Sequence, residues 1–115
     1  MGKETDEPRT ELLPGTLYLL ILKTLARLGP MHGYGIAQFI QETTEDALQV
    51  EEGSLYPALQ RMLIKGWVAA EWGQSENNRR ARYYRLTPAG RRQLSVEVSE
   101  FEKVVHAIHR VTQPA

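Results

Sequence analysis

The segment Thr16–Leu28 constrains the fold most, because it reads as a helix that is apolar almost all round. Thr16 is predicted to cap its start, Gly29 to close its end in the left-handed conformation, and Pro30 to prevent continuation. A helix this apolar is not stable alone in water, so it lies in the core or is covered by a second subunit. Its apolar positions are Leu17, Tyr18, Leu19, Leu20, Ile21, Leu22, Leu25 and Leu28.

Length and composition restrict the class of protein. The 115 residues suit one domain, and 42% hydrophobic residues can form a core. The chain has no cysteine, which excludes a disulfide scaffold and a thiolate metal site. Its longest apolar run has six residues (17–22), and its first eleven residues include four acids, unlike a signal peptide. A soluble cytoplasmic protein is expected.

Hydrophobic periodicity and breaker residues predict the remaining elements. A second helix runs from His32 or Gly33 to Glu42, and Leu48–Val50 alternates like a short strand. A third helix begins near residues 52–54 and ends at Gly66, with its start uncertain by a turn because Pro57 fits only near a helix start. Strands are predicted at 67–72 and 82–86, and Thr87-Pro88 opens a last helix that reaches about Val111.

The order of three helices, a hairpin and a long helix predicts a mainly α (α+β) winged helix-turn-helix with a two-stranded β-wing. The third helix would read DNA. The predicted domains are a flexible arm at 1–11, a winged-helix DNA-binding domain at 12–87 and a C-terminal dimerisation helix at 88–115.

The net charge of zero conceals a local basic region. Residues 61–92 hold eight basic and two acidic side chains, a net charge of +6. The outer face of the third helix carries Ser54, Gln60, Arg61 and Lys65, and the hairpin tip carries Arg79, Arg80 and Arg82. Taken singly, these are an ordinary solvated helix face and a solubilising loop. Their combination indicates nucleic-acid binding, with base-edge donors on a helix and arginines for phosphates or a narrow minor groove.

Five segments also resemble the PadR-like transcriptional regulators of bacteria. They are Leu13–Leu17 (LPGTL), His32–Ile36 (HGYGI), Glu52–Leu59 (EGSLYPAL), Leu63–Val68 (LIKGWV) and Arg82–Gly90 (RYYRLTPAG). The likeness covers about residues 12–112 and fits the short subfamily, which ends in one long helix. It implies a homodimeric repressor that binds double-stranded promoter DNA and is released by a small-molecule effector.

The same resemblance places Ser54, Tyr56 and Pro57 in the recognition helix and Arg79-Arg80 in the wing. The Tyr56 hydroxyl is expected to bond a phosphate, while its ring could equally pack beneath the hairpin, and the two roles are compatible. The resemblance fixes neither the operator nor the effector.

The last helix carries an apolar seam with coiled-coil spacing, at Leu94, Val98, Phe101, Val105 and Ile108. The seam could pack back onto Thr16–Leu28 or cover a partner subunit, and a homodimer is predicted. In the short subfamily some members bind planar aromatic compounds between these helices through an aromatic residue. Phe101 is therefore the candidate effector contact, although this helix has no tryptophan and core packing is the favoured role.

Other activities find little support in the sequence. Gly33-x-Gly35 lacks the preceding strand and the third glycine of a dinucleotide site, so neither an enzyme nor a cofactor is predicted. Glu102, His106 and His109 share a helix face but lack a fourth ligand, so no metal is predicted. His32 is expected to bond local backbone. The alternative to a DNA-binding regulator is a winged-helix protein–protein interaction module without specific DNA binding.

Overall fold

The computed structural model describes residues 14–114, which form four helices and a small antiparallel sheet. Within these residues no helix is long and apolar enough to cross a membrane. The sheet order is β1-β3-β2, so the hairpin β2–β3 is extended by the short strand β1. The elements are α1 (Pro14–Leu28), β1 (Met31–His32), α2 (Gly33–Thr43), α3 (Glu52–Ile64), β2 (Val68–Gln74), β3 (Arg80–Leu86) and α4 (Pro88–Thr112).

The predicted winged-helix architecture is confirmed, and several of its helix ends form as expected. Gly29 adopts φ +82° after α1, and its N–H bonds the Leu25 carbonyl at 2.9 Å. The Thr87 hydroxyl caps α4 by accepting from the Gly90 N–H at 3.0 Å. His32 caps α2, its Nδ1 accepting from the Gly35 N–H at 2.9 Å, which confirms the predicted local bond to backbone.

Other local predictions are wrong. Thr16 is not the cap of α1, since that helix already begins at Pro14. The stretch 48–50 is irregular, and the third strand of the sheet is instead β1, which pairs with Tyr83 and Tyr84 of β3. The hairpin strands are shifted or extended toward the tip, so Arg80 is part of β3. Pro57 lies in the second turn of α3, further inside the helix than expected. The predicted arm at 1–11 lies outside the described residues.

The core is formed where α1, α2 and α3 pack over the base of the hairpin. Each large side chain buried there contributes about 1.5–3 kcal/mol relative to exposure. Because α3 buries one face in this core, its opposite face is fixed outward. The buried apolar side chains are Leu17, Ile21, Leu22, Leu25, Ile36, Ile40, Leu55, Ala58, Leu59, Met62, Val68 and Tyr84.

The last helix packs against its own subunit over only part of its length. Leu94 lies against the core, and α4 crosses α1 near Gly15 and Glu97. Further along the predicted seam, Phe101 is 46% exposed and Ile108 is similarly exposed. The first half of α4 thus packs back onto α1, while the second half leaves an apolar surface uncovered in the single chain.

Candidate nucleic-acid interface

The outward surface of α3 has three parts that follow from its period of 3.6 residues. Gly53, Pro57, Gln60 and Ile64 form the outermost stripe, opposite the buried face, and Ile64 is 77% exposed. One flank beside this stripe holds Ser54, Arg61 and Lys65, and the other holds Tyr56. The predicted DNA contacts on this helix are therefore all exposed, and they are divided between the outer stripe and its two flanks.

Arg61 is engaged by α1. Its Nε donates to the Tyr18 hydroxyl at 2.6 Å, and its guanidinium lies 5.6 Å from the Tyr18 ring centroid. Tyr18 meets Trp67 edge-on at 5.5 Å, and the Lys65 ammonium lies 5.2 Å from the Trp67 ring. This cluster connects one flank of α3 to α1 and to Trp67 at the base of the wing.

Tyr56 lies against the start of α2, where only glycine leaves room for it. A Cβ at position 33 would lie 2.7 Å from Cε1 of the Tyr56 ring and 3.0 Å from its hydroxyl. Burial raises the pKa of Tyr56 above 10.0, with further contributions from the Glu52 charge and the Tyr84 phenol. Like an unperturbed tyrosine, Tyr56 is protonated at neutral pH, so its hydroxyl can donate to an acceptor such as a phosphate oxygen.

The β2–β3 register sets which wing side chains share a face. Trp72 pairs with Arg82 and Gln74 pairs with Arg80, and both pairs lie on the face that also carries buried Tyr84. The Arg80 guanidinium lies 4.5 Å from the Trp72 ring centroid, and that of Arg82 lies 6.0 Å from Tyr84. This face of the wing is thus a row of arginines resting on aromatic rings.

A concave cavity of about 660 Å³ separates this wing face from the starts of α2 and α3. Aromatic side chains form its walls and arginines line its wing side, so it offers both apolar surface and donors for an anion. Its lining is His32, Gly33, Tyr34, Tyr56, Trp72, Ser75, Asn77, Arg79, Arg80, Ala81, Arg82 and Tyr84.

Similarity to known proteins assigns this arrangement to a family. The sequence model of the transcriptional regulator PadR-like family matches residues 21–96. The chain belongs to the PadR-like family. A transcriptional regulator from Clostridium thermocellum has the same fold at 27% identity, with a TM-score of 0.78 over 86% of this chain and 95% of that one. A PadR family regulator from Clostridium difficile is 28% identical, with a TM-score of 0.69 over 83% and 96% of the two chains.

A relative from Lysinibacillus sphaericus, itself uncharacterised, is 31% identical over 100 residues, which are 87% of this chain and 91% of the relative. The similarities confirm the resemblance seen in the sequence motifs. The PadR-like family is one of DNA-binding transcriptional regulators and not of enzymes, so this protein is a transcriptional regulator.

In this PadR-like regulator the predicted site residues fall into two groups. Tyr56, Arg79, Arg80 and Arg82 meet around the cavity. The other predicted contacts lie on the outer face of α3 and do not line the cavity; they are Ser54, Pro57, Gln60, Arg61 and Lys65.

Sequence reasoning missed two aromatic residues of the PadR-like regulator's cavity. Tyr34, at the start of α2, is 69% exposed, and Trp72 in the wing is 59% exposed. The strand alternation could have found Trp72, because it places the ring on the same face as Val68 and next to the arginines. Tyr34 carried no comparable sequence signal.

A metal centre is not evident in the described part of the regulator. Among residues 14–114 no three histidine, aspartate or glutamate side chains lie close enough together to hold a metal ion. Glu102, His106 and His109 are exposed along α4.

Proposed function

We propose that this PadR-like regulator is a homodimeric repressor that binds promoter DNA through α3 and the wing. The observation that supports this most is the placement of an uncommitted outer face of α3 beside a concave, arginine-lined wing surface. As a regulator that acts on the chromosome, it would work in the cytoplasm.

In this proposal α3 lies in the major groove with its outermost stripe facing the base edges. The 13-residue helix is about 20 Å long, and the major groove is wide enough to admit it. Within residues 14–114 the Gln60 amide has no side-chain hydrogen bond, so both its donor and its acceptor are free to pair with a base edge. Ser54 and Lys65 flank the stripe and would bond backbone phosphates.

The wing would grip the DNA backbone or the neighbouring minor groove. Arg79, Arg80 and Arg82 are exposed and line the side of the cavity opposite Tyr56. A phosphate in this cavity would be within reach of guanidinium groups from the wing and of a phenol from α3, both of which donate hydrogen bonds to phosphate oxygens.

Dimer formation would use the uncovered part of α4. Phe101, Val104 and Ile108 are half exposed and line an apolar groove of about 370 Å³ together with Gly15 and Leu19 of α1. A second copy of α4 in this groove would remove the apolar surface from water. A two-fold dimer presents two copies of α3, which suits a palindromic operator.

Effector release would act through the same helix. The groove adjoins both α1 and α4, and Phe101 is its aromatic side chain. A compound bound between this groove and the α4 of the second copy would change the angle between the two winged domains, and with it the half-site spacing that the dimer can satisfy.

The test is a band-shift assay with the DNA upstream of the protein's own gene, at two salt concentrations. We expect a sequence-specific shift that weakens steeply with salt and is largely lost in Arg79→Ala/Arg80→Ala. Lys23→Ala/Arg27→Ala is the matched control, since it removes two exposed positive charges from α1, outside the cavity. If selection from a random DNA pool at low salt also yields no specific duplex, the protein–protein interaction module is the better explanation.

A further inference from the structure

Trp72 differs from Tyr84, the other aromatic residue on this face of the wing, in that its side chain is mostly exposed. Tyr84, on the same face, is buried in the core, whereas Trp72 is 59% exposed. A single exposed apolar side chain needs no explanation by itself. The informative feature is what covers its ring: the Arg80 guanidinium lies 4.5 Å from the ring centroid, the shortest cation–ring separation in the described part of the chain.

The strand register places two such arginine–ring pairs one after the other on the same face of the hairpin. Arg82 is directly opposite Trp72 and Arg80 is opposite Gln74, the next pair toward the tip on this face, so the Arg80 guanidinium reaches the Trp72 ring diagonally across the hairpin. Arg82 has a similar partner in Tyr84, at 6.0 Å. The arginine near the core is thus supported by a buried ring, and the arginine near the tip is supported by an exposed one.

Stacking affects how an arginine binds phosphate. A free arginine side chain samples many rotamers and loses them on binding, while a stacked one is already restricted. Because a ring covers the flat face of the guanidinium, its N–H donors, which lie in the plane at the edge, stay available for a phosphate. The cavity beside Trp72 and Arg80 is where such a phosphate would lie in the proposed function.

We propose that Trp72 is a positioning residue for DNA binding, whose ring holds the Arg80 guanidinium in the cavity between the wing and the starts of α2 and α3. This inference rests on the proposed function. It gives Trp72 a role that requires no contact of its own with DNA, and it explains why an exposed tryptophan lies under an arginine on the wing.

The test is a double-mutant cycle between Trp72 and Arg80, measured as DNA affinity by fluorescence anisotropy of a labelled duplex. Trp72→Leu keeps an apolar side chain but removes the ring. We expect it to weaken binding about two- to five-fold, the size of an exposed cation–π interaction. In an Arg80→Ala background the same change should have no further effect. Trp72→Phe, which restores a ring, should recover most of the affinity.

Two controls separate positioning from a general structural role. Arg85→Ala removes an exposed arginine from the opposite face of β3, so it should leave the Trp72→Leu effect unchanged. Thermal unfolding of every variant checks the fold, and Trp72→Tyr provides a second ring-retaining variant if Trp72→Leu fails to fold; it should then keep near-wild-type affinity with Arg80 present.

The possible outcomes separate failure of the role inferred for Trp72 from failure of the proposed function. Equal losses from Trp72→Leu with and without Arg80 would mean that the ring contacts DNA itself, which would overturn the inference alone. Failure of Trp72→Phe or Trp72→Tyr to retain affinity would do the same. Absence of DNA binding by the wild-type protein would overturn the proposed function, and this inference with it.

Discussion

At the scale of single residues, Tyr56 links the packing of the cavity beside the wing to the chemistry of that cavity. The ring fills the space left by Gly33, and the hydroxyl reaches the cavity lining. The same burial raises its pKa, so the hydroxyl keeps its proton to a higher pH than an ordinary phenol does. The two roles expected for this residue, partial core packing and phosphate bonding, are therefore both compatible with its position.

The raised pKa of Tyr56 makes stability depend on alkaline pH. Between the ordinary value of 10.0 and the raised value, the unfolded chain has lost the proton that the folded chain keeps. The Tyr56 proton therefore contributes fully to the free energy of unfolding below pH 10.0, and this contribution is lost as the pH rises through the folded-state pKa. In urea unfolding measured from pH 8 upward, the free energy of unfolding should therefore fall less steeply with pH in Tyr56→Phe than in wild type. Tyr34→Phe is the control, and an equal effect of both variants would contradict this account.

Gln60 is expected to read one base pair of the operator. Glutamine pairs bidentately with adenine in the major groove, and such a pair contributes about 1–3 kcal/mol of discrimination. Gln60→Ala should relax preference at one position of each half-site and leave the others unchanged. DNA selection with both proteins measures this, and Gln38→Ala, an exposed glutamine of α2 outside the cavity lining, is the control. A uniform loss of affinity across all operator positions would mean that Gln60 contacts the DNA backbone instead.

At the scale of elements, two glycines near helix starts differ in the space around them, and alanine is expected to have opposite effects at the two positions. Gly90 is buried at the start of α4, and a Cβ there would collide with the Trp67 backbone carbonyl. Gly53 lies in the first turn of α3, with nothing within 4 Å of an added Cβ. The first position permits no side chain without moving α4, whereas the second is free.

Gly90→Ala should therefore lower the free energy of unfolding by about 1–3 kcal/mol or more, because backbone must shift to relieve the overlap. Gly53→Ala should raise it by about 0.5–1 kcal/mol at most, the difference in helix propensity. Urea denaturation of the two variants beside wild type measures both. Equal and small effects would mean that α4 is not fixed against the β2–β3 base in the way the structure places it.

Elements with local signals could be predicted from the sequence, and those that depend on distant partners could not. The Thr87-Pro88 cap and the Gly29 stop are encoded within a few residues, so α4 and the end of α1 were expected. The two-residue strand β1 exists only because β3 pairs with it, and no local pattern marks it. Likewise, the bond between Arg61 and Tyr18 joins residues 43 positions apart, so the sequence predicted Arg61 as an outer-face DNA contact but not its partner on α1.

At the scale of the whole molecule, α4 is proposed to bring two winged domains together. Its polar face carries Ser99 and Lys103, while the other face leaves Phe101 and Ile108 uncovered beside α1. A single chain offers only one reading helix, and an isolated half-site gives limited affinity. A variant that cannot dimerise is therefore expected to lose DNA binding as well.

Phe101→Asp should yield a monomer in sedimentation, because a charge in the seam would be buried without a partner in the dimer. The same variant should lose the band shift at concentrations where wild type binds. Ser99→Asp, which adds the same charge to the polar face of α4, should stay dimeric and bind normally. A Phe101→Asp protein that remains dimeric and binds DNA like wild type would contradict the coupling between seam and operator.

The most direct measurement is selection of duplexes from a random DNA pool by the purified wild-type protein, followed by sequencing. The account predicts an inverted repeat whose half-site centres lie about one helical turn, roughly 10–10.5 base pairs, or a multiple of it apart. Enrichment of a single half-site would contradict the dimer. If no sequence is enriched even at low salt, that result would contradict specific DNA binding and with it the proposed function.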